Sequence, residues 1–354
     1  MRQQLHSNYI KRAIVLLLVV FTLFSGRVLA MCNPSPPPAP VYHAPLKSIS
    51  LTVGNDNNSA QLYSYHAQLN MGYTCTGNPP YTYSMKVVNG TLAEGYSDVY
   101  TTNIPGIGIK FVRLVSNQDV NGTGSFSVNI NALFIRTHTG RLSSGNIIGN
   151  QLPKVSGVIL DSDGEEYANP LYTLGYSGLI PITVASCATP DNLTYSLKTV
   201  HSGDFSGVNS ATAWVNTPVT LKSCSDFYGY MSGGFYEWSS TTPNDIGEKG
   251  VIKAKNTLLM HLKPNTPIIN SELGIIGLDE TGMQAAGGIG IQLGIQSNRT
   301  YIPVNLSAPI QVNPVLGDTS KTVQFNLGAR YIQTEKAITP GLANASVIYT
   351  INYQ

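Results

Sequence analysis

Charged residues are scarce in this chain: Asp, Glu, Lys and Arg make up 11% of its 354 residues, against roughly a quarter in a typical soluble domain. Ser, Thr, Asn, Gly and Tyr fill the difference, and 20 tyrosines are more aromatic content than a disordered chain carries. No long stretch offers the Ala, Leu, Glu and Lys that favour helices. Composition therefore argues against disorder and against a helical bundle, and the length is enough for two domains.

Sequence motifs for catalysis or for metal binding are also missing. Outside the first thirty residues the five histidines are scattered, with none at the i, i+4 spacing of a helical zinc site, and no G-x-S-x-G occurs. The acidic run 161–166 resembles half a calcium loop but lacks the distal glutamate in register, so it is interpreted as a solvated turn. We therefore predict no enzyme activity, no cofactor and no metal site. Without a basic cluster we also predict no nucleic-acid partner.

The first thirty residues have the three parts of an export signal. Arg2, Lys11 and Arg12 give a basic start, residues 13–24 an apolar stretch, and Val28-Leu29-Ala30 a cleavage motif. The alternative is an uncleaved anchor, but the apolar stretch is shorter than the roughly 20 residues that span a bilayer. This segment holds four of the 21 basic residues and none of the 19 acidic ones. We expect residues 31–354 to form the mature protein, with a net charge of −2.

Four cysteines, Cys32, Cys75, Cys187 and Cys224, remain in the mature chain. An even count in an exported protein predicts disulfides. Three pairings are possible, and the local ones, Cys32 with Cys75 and Cys187 with Cys224, keep each bridge within one half of the chain. A zinc site is disfavoured because neither pair has the close spacing that zinc motifs show.

Short stretches of alternating apolar and polar residues recur along the mature chain, which is typical of half-buried strands. Examples are 49–53, 126–130, 289–295 and 323–331, and turn formers such as Asn89-Gly90 and Asn121-Gly122 separate the strands. We predict an all-β protein of two β-sandwich domains. The boundary is placed near residues 178–184, so that residues 31–181 form one domain and 182–354 the other.

The last strand extends to the end of the chain, with Val347, Tyr349, Ile351 and Tyr353 in alternation. Gly341, fourteenth from the end, and the penultimate Tyr353 resemble the ending of subunits assembled by the chaperone–usher pathway of Gram-negative bacteria. The segment Phe325-x-x-x-Ala329-x-Tyr331 is similar to the pilin strand that precedes the terminal one. Together with the Cys187 and Cys224 pair, the resemblance covers roughly residues 182–354.

This resemblance implies an immunoglobulin-like sandwich that lacks its last strand, with a hydrophobic groove beside the terminal strand. A periplasmic chaperone would first lend a strand and hold the terminal carboxylate of Gln354. An outer-membrane usher would then exchange the chaperone for the strand of an adjacent fimbrial subunit. The groove and chaperone contacts expected are Gly341, Val347, Tyr349, Ile351, Tyr353 and Gln354.

About 150 residues precede the pilin-like half, an arrangement that resembles two-domain tip adhesins and implies a receptor-binding, lectin-like first domain. Export would pass through the periplasm to a fimbrial tip on the cell surface. The tyrosine-rich segment around Asn78, Tyr81 and Tyr83 could stack on a sugar ring, although at any single position the favoured interpretation is an ordinary strand residue. The expected function is adhesion to a host glycan or protein. The alternative is a non-adhesive cap or adaptor subunit, and a secreted hydrolase is disfavoured.

Overall fold

A computed structural model describes residues 31–54, 60–77, 80–113, 119–166, 169–225, 228–232, 234–250, 252–255, 257–281, 284–312 and 321–353. These residues form strands and connecting loops, with two short 3₁₀ turns at Gly149–Gln151 and Ser202–Asp204 and no α-helix within the described ranges. The strands of the first half are β1 (Met31–Pro34), β2 (Val41–Pro45), β3 (Leu51–Val53), β4 (Gln61–Thr76), β5 (Tyr81–Val88), β6 (Val99–Thr101), β7 (Ile107–Arg113), β8 (Asp119–Val120), β9 (Thr123–Arg136), β10 (Gly145–Ile148), β11 (Lys154–Leu160), β12 (Tyr172–Ser177) and β13 (Leu179–Val184). Those of the second half are β14 (Val215–Asn216), β15 (Val219–Leu221), β16 (Tyr228–Ser232), β17 (Phe235–Ser239), β18 (Thr242–Lys249), β19 (Ile252–Lys255), β20 (Leu258–Pro264), β21 (Ile268–Asn270), β22 (Ile275–Ile276), β23 (Ile289–Ser297), β24 (Thr300–Pro303), β25 (Ile310–Val312), β26 (Val323–Phe325), β27 (Leu327–Gln333) and β28 (Val347–Tyr353). The predicted all-β fold is confirmed.

The first half is built around two facing sheets. One has the strand order β18-β17-β4-β9-β7-β6, with β1 also on β4, and the other has the order β2-β12-β11-β5-β8. One continuous apolar cluster fills the space between them and is rich in tyrosine. Rings from the two sheets meet there edge to face. The ring centroids of Tyr65 and Tyr176 are 5.9 Å apart, and those of Tyr83 and Phe126 are 5.1 Å apart. This is the interdigitated core of a β-sandwich.

One hairpin of the second half lies in this first sheet, which corrects the predicted assignment of all residues from 182 to 354 to a separate domain. Strand β17 pairs in parallel with β4, and β18 follows on its outer side. Tyr236 and Trp238 of β17 are 2% and 3% exposed and belong to the core of the first half. The physical reason is the apolar alternation of β17, which buries its inward face on the edge of a sheet formed elsewhere in the chain.

The second half contains one six-stranded sheet and several smaller ones. The largest has the order β14-β27-β23-β22-β21 with β24 on β23, a second has the order β25-β20-β28, and β15 pairs with β26. The apolar residues form two separate clusters. One is centred on Leu258, Met260 and Phe325, and the other on Ile276 and Ile291.

Several sequence predictions are confirmed in detail. The alternating segments lie in β3, β9, β23, β26 and β27. Asn89 and Gly122 have positive φ, as their places in turns require. Disulfides join Cys32 to Cys75 and Cys187 to Cys224. In the part of the chain that is described, none of the helical turns has the length and apolar character needed to cross a membrane.

Candidate functional site

The last strand, β28, has one hydrogen-bonded side and one open side. It pairs with β20 along its whole length, from Val347 opposite Pro264 to Tyr353 opposite Leu258. It ends the order β25-β20-β28, so no other strand within the described ranges pairs with its outer edge. An edge strand of this kind presents unpaired N–H and C=O groups that can pair with another chain.

The side chains of β28 alternate between a half-buried face and a solvent face. Val347, Tyr349, Ile351 and Tyr353 point inward, whereas Ile348 and Thr350 are exposed. Burial increases along the inward face: Ile351 and Tyr353 are buried, but Val347 and Tyr349 are only half-buried. The start of the strand therefore lacks a covering layer that its end possesses.

A cavity of about 730 Å³ lies beside the half-buried part of β28. Its apolar side chains come from β15, β20, β22, β23, β27 and β28, and one wall is the irregular segment 191–199. We call this space the groove. The side chains that the strands contribute to its apolar lining are Val219, Leu262, Ile276, Ile291, Leu293, Leu327, Ala329, Tyr331, Val347 and Tyr349.

The groove lies between the two apolar clusters of the second half. Leu262, Leu327 and Tyr349 pack on one cluster, and Ile291 and Tyr331 belong to or border the other. All five side chains also line the groove. A strand placed there would present alternate side chains to both clusters and join them into one core. The groove is therefore open space between two apolar clusters beside the unpaired edge of β28.

Gly341 has a steric role just before β28. A Cβ atom at this position would lie 2.4 Å from the Ala286 nitrogen and 2.5 Å from the Gln284 oxygen, closer than any real Cβ contact. The neighbouring Leu342 is held by backbone hydrogen bonds to this same segment, with its N–H donating to Gln284 O at 2.8 Å. Glycine is thus required because the chain passes directly over residues 284–286 on its way into β28.

Two tyrosine hydroxyls of β28 tie the strand to the start of the second half. The Tyr349 hydroxyl donates to Pro190 O at 2.7 Å, and the Tyr353 hydroxyl accepts from the Cys187 N–H at 2.8 Å. Burial raises the pKa of both phenols, and the Asp191 carboxylate adds to the rise at Tyr349. Both hydroxyls therefore remain protonated, and the segment after Cys187 is held across the groove from β28.

The tyrosines suggested for ligand binding do not face solvent. Tyr81 and Tyr83 are 2% and 1% exposed, which corrects the idea that they stack on a sugar. The Tyr83 hydroxyl lies 2.7 Å from the Tyr172 hydroxyl, and Arg113 lies over its ring at 5.4 Å. Their alternation reflects the inward face of strand β5. Asn78, suggested with them, and Gln354 lie outside the described residues.

Sequence reasoning located β28 but missed most of the groove lining. Leu262, Ile276 and Ile291 lie on strands that end about 50 residues or more before β28 begins, and segment 191–199 has no periodic pattern. The alternation around Ile289–Ile295 was visible, but its inward face could not be connected with β28 without the sheet order. Over the described ranges, no three His, Cys, Asp or Glu side chains are grouped so that they could hold a metal ion.

Comparison with known proteins gives matches to fimbrial adhesins. Residues 50–147 match the family model described as MrkD-like receptor binding domain. A fimbria adhesin protein of Klebsiella pneumoniae is 24% identical over 293 residues, covering 79% of each chain. These are adhesive proteins or domains, and neither is an enzyme.

Among solved structures, the CupB6 tip adhesin of Pseudomonas aeruginosa covers 91% of this chain and 94% of its own, with 13% identity and a TM-score of 0.35. The receptor binding domain of the adhesin MrkD1P of Klebsiella pneumoniae covers 45% of this chain and 98% of its own, with 18% identity and a TM-score of 0.29. The sequence matches confirm the resemblance inferred from the residues: the chain is similar to a fimbria adhesin over most of its length, and its residues 50–147 match the model of the MrkD-like receptor binding domain family.

Proposed function

We propose that this protein is a tip adhesin of a chaperone–usher fimbria, with receptor binding in the first half and a strand-accepting groove in the second. The observation that carries the proposal is the open edge of β28 beside a cavity of about 730 Å³ that separates two apolar clusters. Such a surface is costly to expose to water. An added strand would satisfy the backbone groups of β28 and bury the cavity lining at the same time.

The partners follow from this geometry and from the relatives. A periplasmic chaperone would fill the groove first, and the usher would then deliver an adjacent subunit whose donated strand replaces it. The terminal carboxylate of Gln354 would be held by basic groups of the chaperone. The protein would reach the cell surface through the periplasm and stand at the fimbrial tip.

The receptor-binding role is proposed for the first half because residues 50–147 match receptor binding domains. A host glycan is the ligand class we propose. Binding is tested with the full mature chain on a broad glycan array, with the groove filled by a strand peptide to keep the protein soluble. Saturable binding that free sugar competes supports adhesion. Absence of binding to every glycan and matrix protein would instead indicate a non-adhesive cap.

The groove is tested with two neighbouring substitutions on β28. Val347 lines the groove, and Ile348, the next residue, is 52% exposed on the opposite face. The probe is a synthetic peptide of alternating valine and threonine without proline. We expect the wild type and Ile348→Asp to bind it, and Val347→Asp to bind at least tenfold more weakly. Equal binding by both variants, or no binding by the wild type, would contradict strand uptake at β28.

A further inference from the structure

The hairpin formed by β17 and β18, residues 235–249, comes from the second half of the chain but lies against the first. Its pairing with β4 is parallel, with Tyr236 opposite Tyr65 and Ser239 opposite Gln68. The opposite edge of β4 is occupied by β9. The hairpin therefore covers part of the β4 edge that would otherwise be open.

Aromatic packing fixes the hairpin in this place. Tyr236 stacks on Tyr63 with ring centroids 5.0 Å apart and an interplanar angle of 18°. Trp238 meets Tyr42 edge to face at 6.1 Å, and its indole N–H donates to Pro243 O at 2.8 Å. The polar end of the tryptophan is satisfied within the hairpin while its apolar body is buried in the core of the first half.

Polar contacts continue along both sides of the hairpin. The Ser240 N–H donates to Gln68 O at 2.9 Å, and the Asn70 N–H donates to Ser240 Oγ at 3.0 Å. Lys47 of the first half forms an ion pair with Glu248 of β18 at 2.5 Å. The hairpin is therefore held to the sheet by backbone, aromatic and charged contacts, as an integral strand of the sheet would be.

We infer that residues 235–249 act as a strand pair donated within the chain, which completes the β4 edge and makes the two halves one cooperative unit. The chain passes between the halves three times: after β13, before β16, which contacts β3 and β4, and after β19, which pairs with β16. A force applied to the second half reaches the receptor-binding half through the hairpin as well as through the direct connection. The two halves are therefore not independent units joined by a single linker.

The most direct test removes the hairpin from the full mature chain. Ser232 of β16 and Ile252 of β19 are opposite each other, so an Asn-Gly turn can replace residues 233–251 and close the shorter hairpin. Hydrogen exchange would then be measured on the Asn70 amide and on β23 and β27. We expect Asn70 to exchange at least tenfold faster, with β23 and β27 still protected. Unchanged protection of Asn70 would overturn the inference.

If the shortened chain does not fold, a pair of matched substitutions tests the same inference. The chain has two tryptophans, and Trp214 packs on Tyr301 and Arg330 of the second half, away from the hairpin. We expect Trp238→Ala to accelerate Asn70 exchange at least tenfold and to split the single thermal transition into two. Trp214→Ala should do neither. Equal effects of the two substitutions on Asn70, or no effect of Trp238→Ala, would overturn the inference.

Discussion

Both halves of this molecule are built from strands of alternating apolar and polar residues, but their apolar side chains pack differently. In the first half, inward residues of two sheets meet in one continuous core, and the edge of β4 is covered by β1 and β17. In the second half, inward residues form two clusters with a groove between them, and the edge of β28 has no partner strand in the described part of the chain.

This difference shows that a strand-like pattern does not say whether the sandwich around it is complete. Tyr65 and Tyr349 are both inward residues of alternating strands, yet Tyr65 is fully buried and Tyr349 lines an open groove. The number of strands that each half can bring together decides the outcome. The predictions below test this contrast, starting with the largest expected effect.

Phe134→Ala should be among the most destabilising truncations in the first half. The ring is 0% exposed and meets Tyr63 edge to face at 5.5 Å, so its loss leaves a cavity in a complete core, costing about 3–5 kcal/mol. Val347→Ala, at the groove, should cost about 1 kcal/mol or less in the free chain, because the side chain already borders open space. Denaturant unfolding would measure both, and equal costs would remove the contrast between the halves.

Removal of the Cys187–Cys224 disulfide should cost the second half about 3–4 kcal/mol, because the bridge closes a loop with a sequence separation of 37. The Cys32–Cys75 bridge, with a separation of 43, closes a loop of similar length in the first half. The apolar residues of the second half form two separate clusters. Loss of the Cys187–Cys224 bridge should therefore lower periplasmic accumulation more than loss of the Cys32–Cys75 bridge. Cys-to-Ala double variants compared by immunoblot would show this, and a larger loss for the first-half variant would contradict it.

Gly341→Ala should destabilise the entry into β28 by about 1–3 kcal/mol, as overpacking does. The added Cβ would meet the backbone of residues 284–286 at 2.4–2.5 Å, and backbone atoms cannot rotate away. Gly203→Ala is a matched control, because a Cβ there has no neighbour within 4 Å. The readout is the melting temperature of the mature chain, which should fall only for Gly341→Ala.

His66 gives the smallest effect, a pH dependence at the junction of the halves. Burial lowers the pKa of His66 below 6.5, and the charge of Lys249 lowers it further. The Glu237 carboxylate and the Asn129 side chain act in the opposite direction. Because the folded state binds the proton less readily than the unfolded state, stability should fall as the pH drops below 6.5 and continue to fall until it reaches the lowered pKa. His66→Gln should flatten the profile between pH 7 and 5, and an unchanged profile would contradict the assignment.

Local patterns in the sequence predicted the strands, the turns and both disulfides because these depend on residues near one another in the chain. The placement of β17 could not be predicted, since Ser240 contacts Asn70 across 170 residues and nothing in the hairpin specifies β4 as its partner. The sequence could not distinguish a core role from a ligand-binding role for Tyr81 and Tyr83 for a related reason. A tyrosine with a buried hydroxyl partner, such as Tyr172, has the same sequence pattern as one that faces a ligand.

A groove beside the last strand was expected only because the chain end resembles that of known subunits. Alternation from Val347 to Tyr353 indicated a strand, and Gly341 and Tyr353 indicated its type. The floor of the groove comes from β20, β22, β23 and β27, whose assembly around β28 is a property of the sheet order. Physical patterning therefore predicts the parts of the site, and only the fold shows that they surround a cavity.

Hydrogen exchange along β28 in the free mature chain tests the central claim most directly. With β20 on one side and an empty groove on the other, amides that face β20 should be protected and the alternating amides that face the groove should exchange rapidly. Addition of the valine–threonine peptide should protect both sets. Full protection of Val347 to Ile351 without any added strand would show that the second half completes its own sandwich, and would contradict the account.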